Sequence, residues 1–364
     1  MKTKISLVLF ALGLVSASAY AGTIETAPMP VSNDVNVVAP EQSGMWSFGV
    51  MAVLMQPTNK DFTYAAYSTD TFSGSGPGGT ITHPKVTEGY DWWFGADVTY
   101  AFPGNGRDVT LAYEGLHGTA SDSTSTNTFG ALHSSFSGLA FLTAEGKTDT
   151  RYDAGDLVFG QKLDVGSRIR LHPFAGVRYA YINTNDTGSY TGGQDFDGLY
   201  SQVESAKIEN TFSGIGPRFG SDAQVNLGQG FSVRGRLGLS ALIGSHKLQN
   251  SATVTDYTGG NVVVGPASGT VTVADYSETR VIPEIDGRLG LNYTVDFNAN
   301  TALGFELGWQ ATNYFNVISD QPYLGDAIGN NGGSNKGAQP GEHYDSTSNF
   351  GVQGPYARVQ LDLA

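Results

Sequence analysis

The candidate general bases and metal ligands of the chain are its six histidines, His83, His117, His133, His172, His246 and His343. Two imidazoles four residues apart, or an H-E-x-x-H run, would grip a metal ion from one face of a helix, and neither occurs. There is no G-x-S-x-G turn to expose a serine nucleophile. There is also no cysteine, which excludes thiolate sites and disulfides. Gly74-Ser75-Gly76-Pro77-Gly78-Gly79 lacks the Lys-Ser/Thr ending and following helix of a phosphate loop, and reads as a loop tip. A histidine beside a carboxylate could activate water for peptide hydrolysis, and His117, His246, Asp91 and Glu114 are the residues that could supply such a pair at the rim of a cleft. Four such residues fall together by chance in a chain of this length. No catalytic residue, metal or cofactor is therefore expected, and the chain is not read as an enzyme.

A second set of ionisable residues is more regular. Arg168, Arg170, Arg178, Arg218, Arg234, Arg236, Arg280, Arg288 and Arg358 fall on one side of an alternating pattern, with Asp91, Asp97, Asp108, Glu114, Asp222, Glu284, Asp286, Glu306 and Asp362. The two signs nearly cancel. Charges held away from bulk water persist when they are paired and hydrogen-bonded. Such a set either fills a narrow interior as an ion lattice or lines a hydrated passage.

The elements that would position these charges repeat every second residue. From Tyr90 to Phe102 the even positions are all apolar or aromatic, while the odd ones include Asp91, Gly95, Asp97 and Thr99. Phe231, Val233, Leu237, Leu239, Ala241 and Ile243 alternate with Ser232, Arg234, Arg236 and Ser240. Val281, Ile285, Leu289 and Leu291 alternate with Arg280, Glu284, Asp286 and Arg288. The same period runs through 108–114, 168–181 and 303–310, and the weaker segments 46–54, 151–163, 207–225 and 346–363 complete a set of ten strands. Two of the weaker ones, 151–163 and 207–225, slip phase as β-bulges would make them.

Composition agrees. The chain has 364 residues, 15% charged, 49 glycines, 18 Tyr, 19 Phe and 4 Trp, with a formal charge of −14. Aromatics in this number argue against disorder, and the acidity argues against a nucleic-acid partner. Lys2 and Lys4, the apolar run Ile5 to Val15 and Ala19-Tyr20-Ala21 read as a signal peptide over 1–21. Beyond it no apolar stretch is long enough for a membrane helix. An exported chain of this pattern can still cross a membrane as a closed barrel, in which every backbone group is paired.

Connections alternate in length. Short ones fall near 103–106, 164–167, 226–230 and 296–300, and long polar ones over 57–88, 119–150, 184–206, 245–277 and 318–345, where most of the acidic excess lies. That acidity either attracts cations or serves solvation. The expected fold is thus all-β: a closed antiparallel transmembrane β-barrel of about ten strands (range 8–16), with short periplasmic turns and long extracellular loops. The barrel spans 44–364 and follows a periplasmic lead-in over 22–43. Trp46, Tyr90, Tyr100, Phe102, Tyr179, Tyr181, Phe231, Tyr293 and Trp309 are expected to form lipid-facing girdles. Arg168, Arg170, Arg178, Arg218, Arg234, Arg236, Arg280, Arg288, Asp91, Asp97, Glu284, Asp286 and Glu306 are expected to line the interior.

Three stretches carry a family likeness: Tyr90-Asp91-Trp92-Trp93-Phe94-Gly95-Ala96, Leu171-His172-Pro173-Phe174-Ala175-Gly176-Val177-Arg178, and Phe212-Ser213-Gly214-Ile215-Gly216-Pro217-Arg218-Phe219-Gly220. With them the chain, over roughly 44–364, resembles the Legionella-type pore-forming major outer membrane proteins. The resemblance implies an outer-membrane barrel of porin type, a homo-oligomer and contacts with host surfaces, and brings no catalytic residues. The expected partners are outer-membrane lipid and lipopolysaccharide and small hydrophilic solutes. Passive diffusion through a charged lumen is the leading functional expectation. A plugged barrel acting as a scaffold or adhesin through its loops is the alternative.

Overall fold

The computed structural model describes residues 37–40, 44–58, 61–68, 81–128, 131–137, 139–193, 202–258, 261–263, 269–298, 300–319 and 347–364. The expected signal peptide, the Gly74–Gly79 tip and nearly all of the 318–345 loop lie outside them.

Ten long strands form the wall: β1 Met45–Pro57, β2 Asp91–Ala101, β3 Arg107–Ser125, β4 Thr143–Gln161, β5 Ile169–Gly193, β6 Gln202–Gly228, β7 Phe231–Thr258, β8 Gly269–Asn298, β9 Thr301–Ser319 and β10 Thr347–Leu363. Each pairs antiparallel with its chain neighbours. β10 returns to β1, with Leu363 opposite Trp46 and Val352 opposite Pro57, so the sheet closes and no edge is left. The short turns need backbone that only certain residues supply. Between β6 and β7, Gly228, Gln229 and Gly230 all have positive φ, at 99°, 53° and 83°. In the lead-in, Val37 and Val38 pair with Val165 and Asp164 of a short strand, Leu163–Val165, between β4 and β5.

Period two sets the two faces. On β7, Leu237, Leu239, Ala241 and Ile243 point outward, and Gly238, Ser240 and Leu242 are buried inside. The outward belt leaves Leu307 66%, Trp92 65% and Leu289 63% exposed. Holding such side chains in water costs about 1.5–3 kcal/mol each relative to burial, so this face is stable against hydrocarbon. Aromatics meet at the short-turn edge: Trp46 with Tyr100 at 4.8 Å, Tyr100 with Phe102 at 5.1 Å, and Phe231 with Tyr293 at 4.7 Å. Tyr90, Tyr179 and Tyr181 lie outward toward the other edge. Trp309 departs from expectation: it pairs with Leu289 in the middle of the belt, not at a girdle.

The strands outrun the expected spans. Much of 119–150, 184–206 and 245–277 is wall, not loop: β3 reaches Ser125, β4 starts at Thr143, β5 reaches Gly193 and β7 reaches Thr258. Beyond the membrane the outer face meets water and its apolar positions give way to polar ones, so the apolar alternation fades while the ladder continues. The bulges expected in 151–163 and 207–225 are also absent. β4 runs in unbroken register, and β6 holds its register over 207–225, with shifts only outside it, against β5 between Thr191 and Gly193 and against β7 between Asn226 and Gly228. Gly216 and Pro217 blur the pattern without inserting a residue.

Candidate functional site: the barrel interior

Three layers fill the interior from the short-turn end upward. The first is charged. Around a cavity of about 300 Å³ stand Asp97, Asp108, Lys162, Arg170, His172, Asp222, Arg234, Arg236, Arg288, Glu306, Arg358 and Asp362. His172 bridges two carboxylates, Nδ1 to Asp222 at 3.0 Å and Nε2 to Asp108 at 2.9 Å. Arg236 binds both oxygens of Asp222, and Arg358 both oxygens of Asp97.

Above the cavity, two buried arginines hold a hub. Arg178 donates from Nε and Nη2 to Asp156 at 2.7 and 2.8 Å and from Nη1 to Glu284 at 2.7 Å. Arg218 reaches Asp156 at 3.2 Å, Glu284 at 3.3 Å and Asp286 at 2.7 Å. Both side chains are at most 3% exposed. Charges this far from water need such multiple pairing, and here each carboxylate of the hub meets at least one guanidinium.

The next layer is apolar. Trp93, Tyr152, Tyr314 and Phe350 are fully excluded from solvent and pack with Val53, Met55, Ile182, Phe212, Leu242 and Ile282. Trp93 meets Tyr152 edge-on at 5.0 Å. The Tyr152 hydroxyl donates to Glu114 at 3.0 Å and pairs with the Tyr314 hydroxyl at 2.9 Å, tying this layer to the charges below it. The layer closes the lumen.

A third layer comes from the connections on the long-loop side. Phe62, Tyr64, Ala65, Val86, Leu132, Phe136 and Phe141 pack on Tyr190, Ala206, Ile208, Leu248 and Ala252 of the wall. Small sheets organise it, with Ala65–Ser68 pairing both Ile81–Thr82 and Leu132–Ser134. Glu204 accepts hydrogen bonds from the Ser134 hydroxyl at 2.8 Å and the Ser137 hydroxyl at 2.5 Å. Its burial raises the carboxyl above the usual range. Tyr190 donates to the Tyr64 carbonyl at 2.5 Å, and burial pushes the Tyr190 phenol up. Nearby on β5, seven residues above Tyr179, burial raises Asp186 to about 7, although the Thr148 hydroxyl donates to it at 2.8 Å.

The expected interior residues distribute unevenly. Arg178, Arg218, Glu284 and Asp286 form the hub. Arg170, Arg234, Arg236, Arg288, Asp97 and Glu306 line the cavity, and Asp91 faces inward near Gly118. Arg168 does not join them: it is exposed in the β4–β5 turn, where its carbonyl accepts from the Asn226 amide. Arg280 is inward but higher, bonded to Glu278 and the Ser319 hydroxyl. His117 pairs with Asp149 at 3.2 Å on the outer face of the wall, whereas His246 is buried inside, so the four rim candidates do not share one cleft. The apolar layer was missed. Its trace is the set of apolar triplets Trp92-Trp93-Phe94, Ala241-Leu242-Ile243 and Val281-Ile282 with Pro283, where the inward phase is apolar too.

Among solved structures, the chain is similar to the outer membrane protease OmpT from Escherichia coli, at 10% identity over 88% of this chain and 98% of that one, with a TM-score of 0.39. It is also similar to the Pseudomonas putida toluene transporter TodX, at 8% identity over 89% and 90%, with a TM-score of 0.23. Likenesses this low say nothing about activity. No curated protein sequence matches the chain. The family model described as Legionella pneumophila major outer membrane protein precursor matches residues 38–363, nearly the whole barrel, and the chain belongs to that outer-membrane family.

Proposed function

We propose that this outer-membrane barrel is a narrow, normally closed pore for small hydrophilic solutes and ions. The observation that carries this reading is the lumen's lower half. A cavity of about 300 Å³ is lined by acidic and basic side chains in near balance and ends beneath an apolar layer. A barrel needing only a stable filling would gain from apolar contents, because buried ion pairs are often no better than hydrophobic residues of the same volume. A polar lining is what a hydrated solute requires. Passage then demands displacement of the Trp93–Tyr152–Tyr314 layer and of the layer that the connections build above it. Purified protein in a planar bilayer should show long silent periods broken by small conductance steps, and Trp93→Ala should lengthen the open periods. A bilayer containing inserted protein that stays silent with both proteins overturns the pore.

The complete exclusion of Trp93, Tyr152, Tyr314 and Phe350 from solvent favours a second reading, a permanently filled barrel that presents its tall polar wall and loops to other surfaces. The silent bilayer is its expected result.

A further inference from the structure

The charges around the lower cavity balance in sum but not in place. Arg236 and Arg288 stand directly opposite each other on β7 and β8, both facing the cavity, an arrangement of like charges that disfavours the pairing unless something lies between them. Arg234 is the next inward residue on β7. It shares the Gln360 Oε1 atom with Arg358, donating at 3.3 Å against 2.7 Å from Arg358, so two more guanidiniums converge on one amide oxygen.

The carboxylates nearby are already engaged. Asp222 serves Arg236 and His172, Asp97 serves Arg358, and Glu306 takes the Tyr356 hydroxyl. Arg234 reaches Glu306 only at 3.5 Å, and its Nε is buried without a partner. Among the described residues the Arg288 side chain has no ion pair or hydrogen bond; its guanidinium stacks on the Tyr356 ring at 5.4 Å. Lys162 lines the same cavity with no side-chain ion pair among the described residues. Asp108, which pairs with His172, and Asp362, hydrogen-bonded by Gln360, are the remaining carboxylates near Lys162, and Asp362 is also near Arg234. Planar guanidiniums with free N–H groups, facing one polar cavity, are built to grip an oxyanion.

We propose that this cavity binds a small soluble oxyanion, a phosphate or phosphomonoester, with Arg288 and Arg234 as its principal donors and Lys162 as a supporting charge. The site is independent of whether the lumen conducts. Its occupant would separate the facing Arg236 and Arg288 charges and accept from the Arg234 guanidinium.

The test is phosphorus NMR or calorimetry with inorganic phosphate on detergent-folded full-length protein, with chloride as the competing anion. Saturable phosphate binding that survives excess chloride is expected. Arg288→Gln should weaken it at least tenfold, Arg288→Lys should weaken it less, and Arg280→Gln, in the upper interior, should leave it unchanged. Because Arg288→Gln removes a charge that opposes Arg236, it should fold as well as the parent protein, checked by circular dichroism and by the gel shift between heated and unheated samples. No saturable binding, or binding indifferent to Arg288→Gln and Arg234→Gln in folded protein, overturns the site. Phosphate binding in a barrel that never conducts would refute the pore alone, and conduction without phosphate binding would refute this site alone.

Discussion

Replacing Arg178 with methionine keeps most of its volume and removes the charge at the centre of the hub. Arg178 makes three hydrogen bonds of 2.7–2.8 Å to Asp156 and Glu284. Removing one member of a buried pair costs about 3–5 kcal/mol, chiefly because the partner charge is stranded. Arg218 still touches Asp156, Glu284 and Asp286, so one guanidinium would be left among three carboxylates. The loss should fall near the lower bound, about 3 kcal/mol. Adding Glu284→Gln removes one stranded charge, so the double variant should be more stable than Arg178→Met alone. Equilibrium urea unfolding in lipid vesicles, followed by tryptophan emission, measures both, since Trp93 is buried just above the hub. The hub is shielded from mobile ions, so the loss should persist in high salt. A loss below about 1 kcal/mol, of the order of a surface pair, or one that salt erases, would refute the account of the hub as a buried, mutually dependent network.

Other outcomes follow from the same structure. Leu239→Arg puts a cation on the lipid face and should destabilise the barrel by about 2–4 kcal/mol if it lies near the midplane; the same unfolding assay reads it, and a negligible loss would show that this face meets water. Asp186 holds its proton up to about 7 when folded, against 3.8 as its ordinary value. Its contribution to stability is therefore complete below about pH 4 and is lost as pH rises through 7. Amide exchange of the upper layer, residues 61–68 and 131–137, corrected for its intrinsic pH dependence, should accelerate between about pH 4 and 7 and level off above that, and Asp186→Asn should abolish that acceleration. An unchanged profile in Asp186→Asn would remove Asp186 from the explanation.

The ten strands and the lipid face were legible because one solvent, hydrocarbon, imposes one rule on every second residue, as in Tyr90 to Phe102 and Leu237 to Ile243. Where that solvent ends the rule fades, which is why the upper parts of β3, β4, β5 and β7 read as loop. The interior was half legible. Inward arginines and carboxylates announce themselves by phase, but their partners do not: Arg178 and Glu284 are 106 residues apart in sequence, and only closure of the wall brings them within 2.7 Å. Arg168 shares the phase of Arg170 yet falls in a turn, where phase has no meaning. The apolar layer was hidden because inward positions in a barrel are read as polar by default, although Trp93, Leu242 and Ile282 each sit in an apolar run that breaks alternation.

The central claim is that lipid surrounds this wall while side chains close its lumen. The chain has no cysteine, so single substitutions from Leu237→Cys to Ile243→Cys can each carry one spin label in a lipid bilayer. Collision with oxygen should be high at 237, 239, 241 and 243. At Leu242, neither oxygen nor a water-soluble nickel chelate should reach the label. A chelate that reaches position 242 would mean a water-filled lumen at rest, and one that reaches position 239 would mean that the outer face is not in lipid.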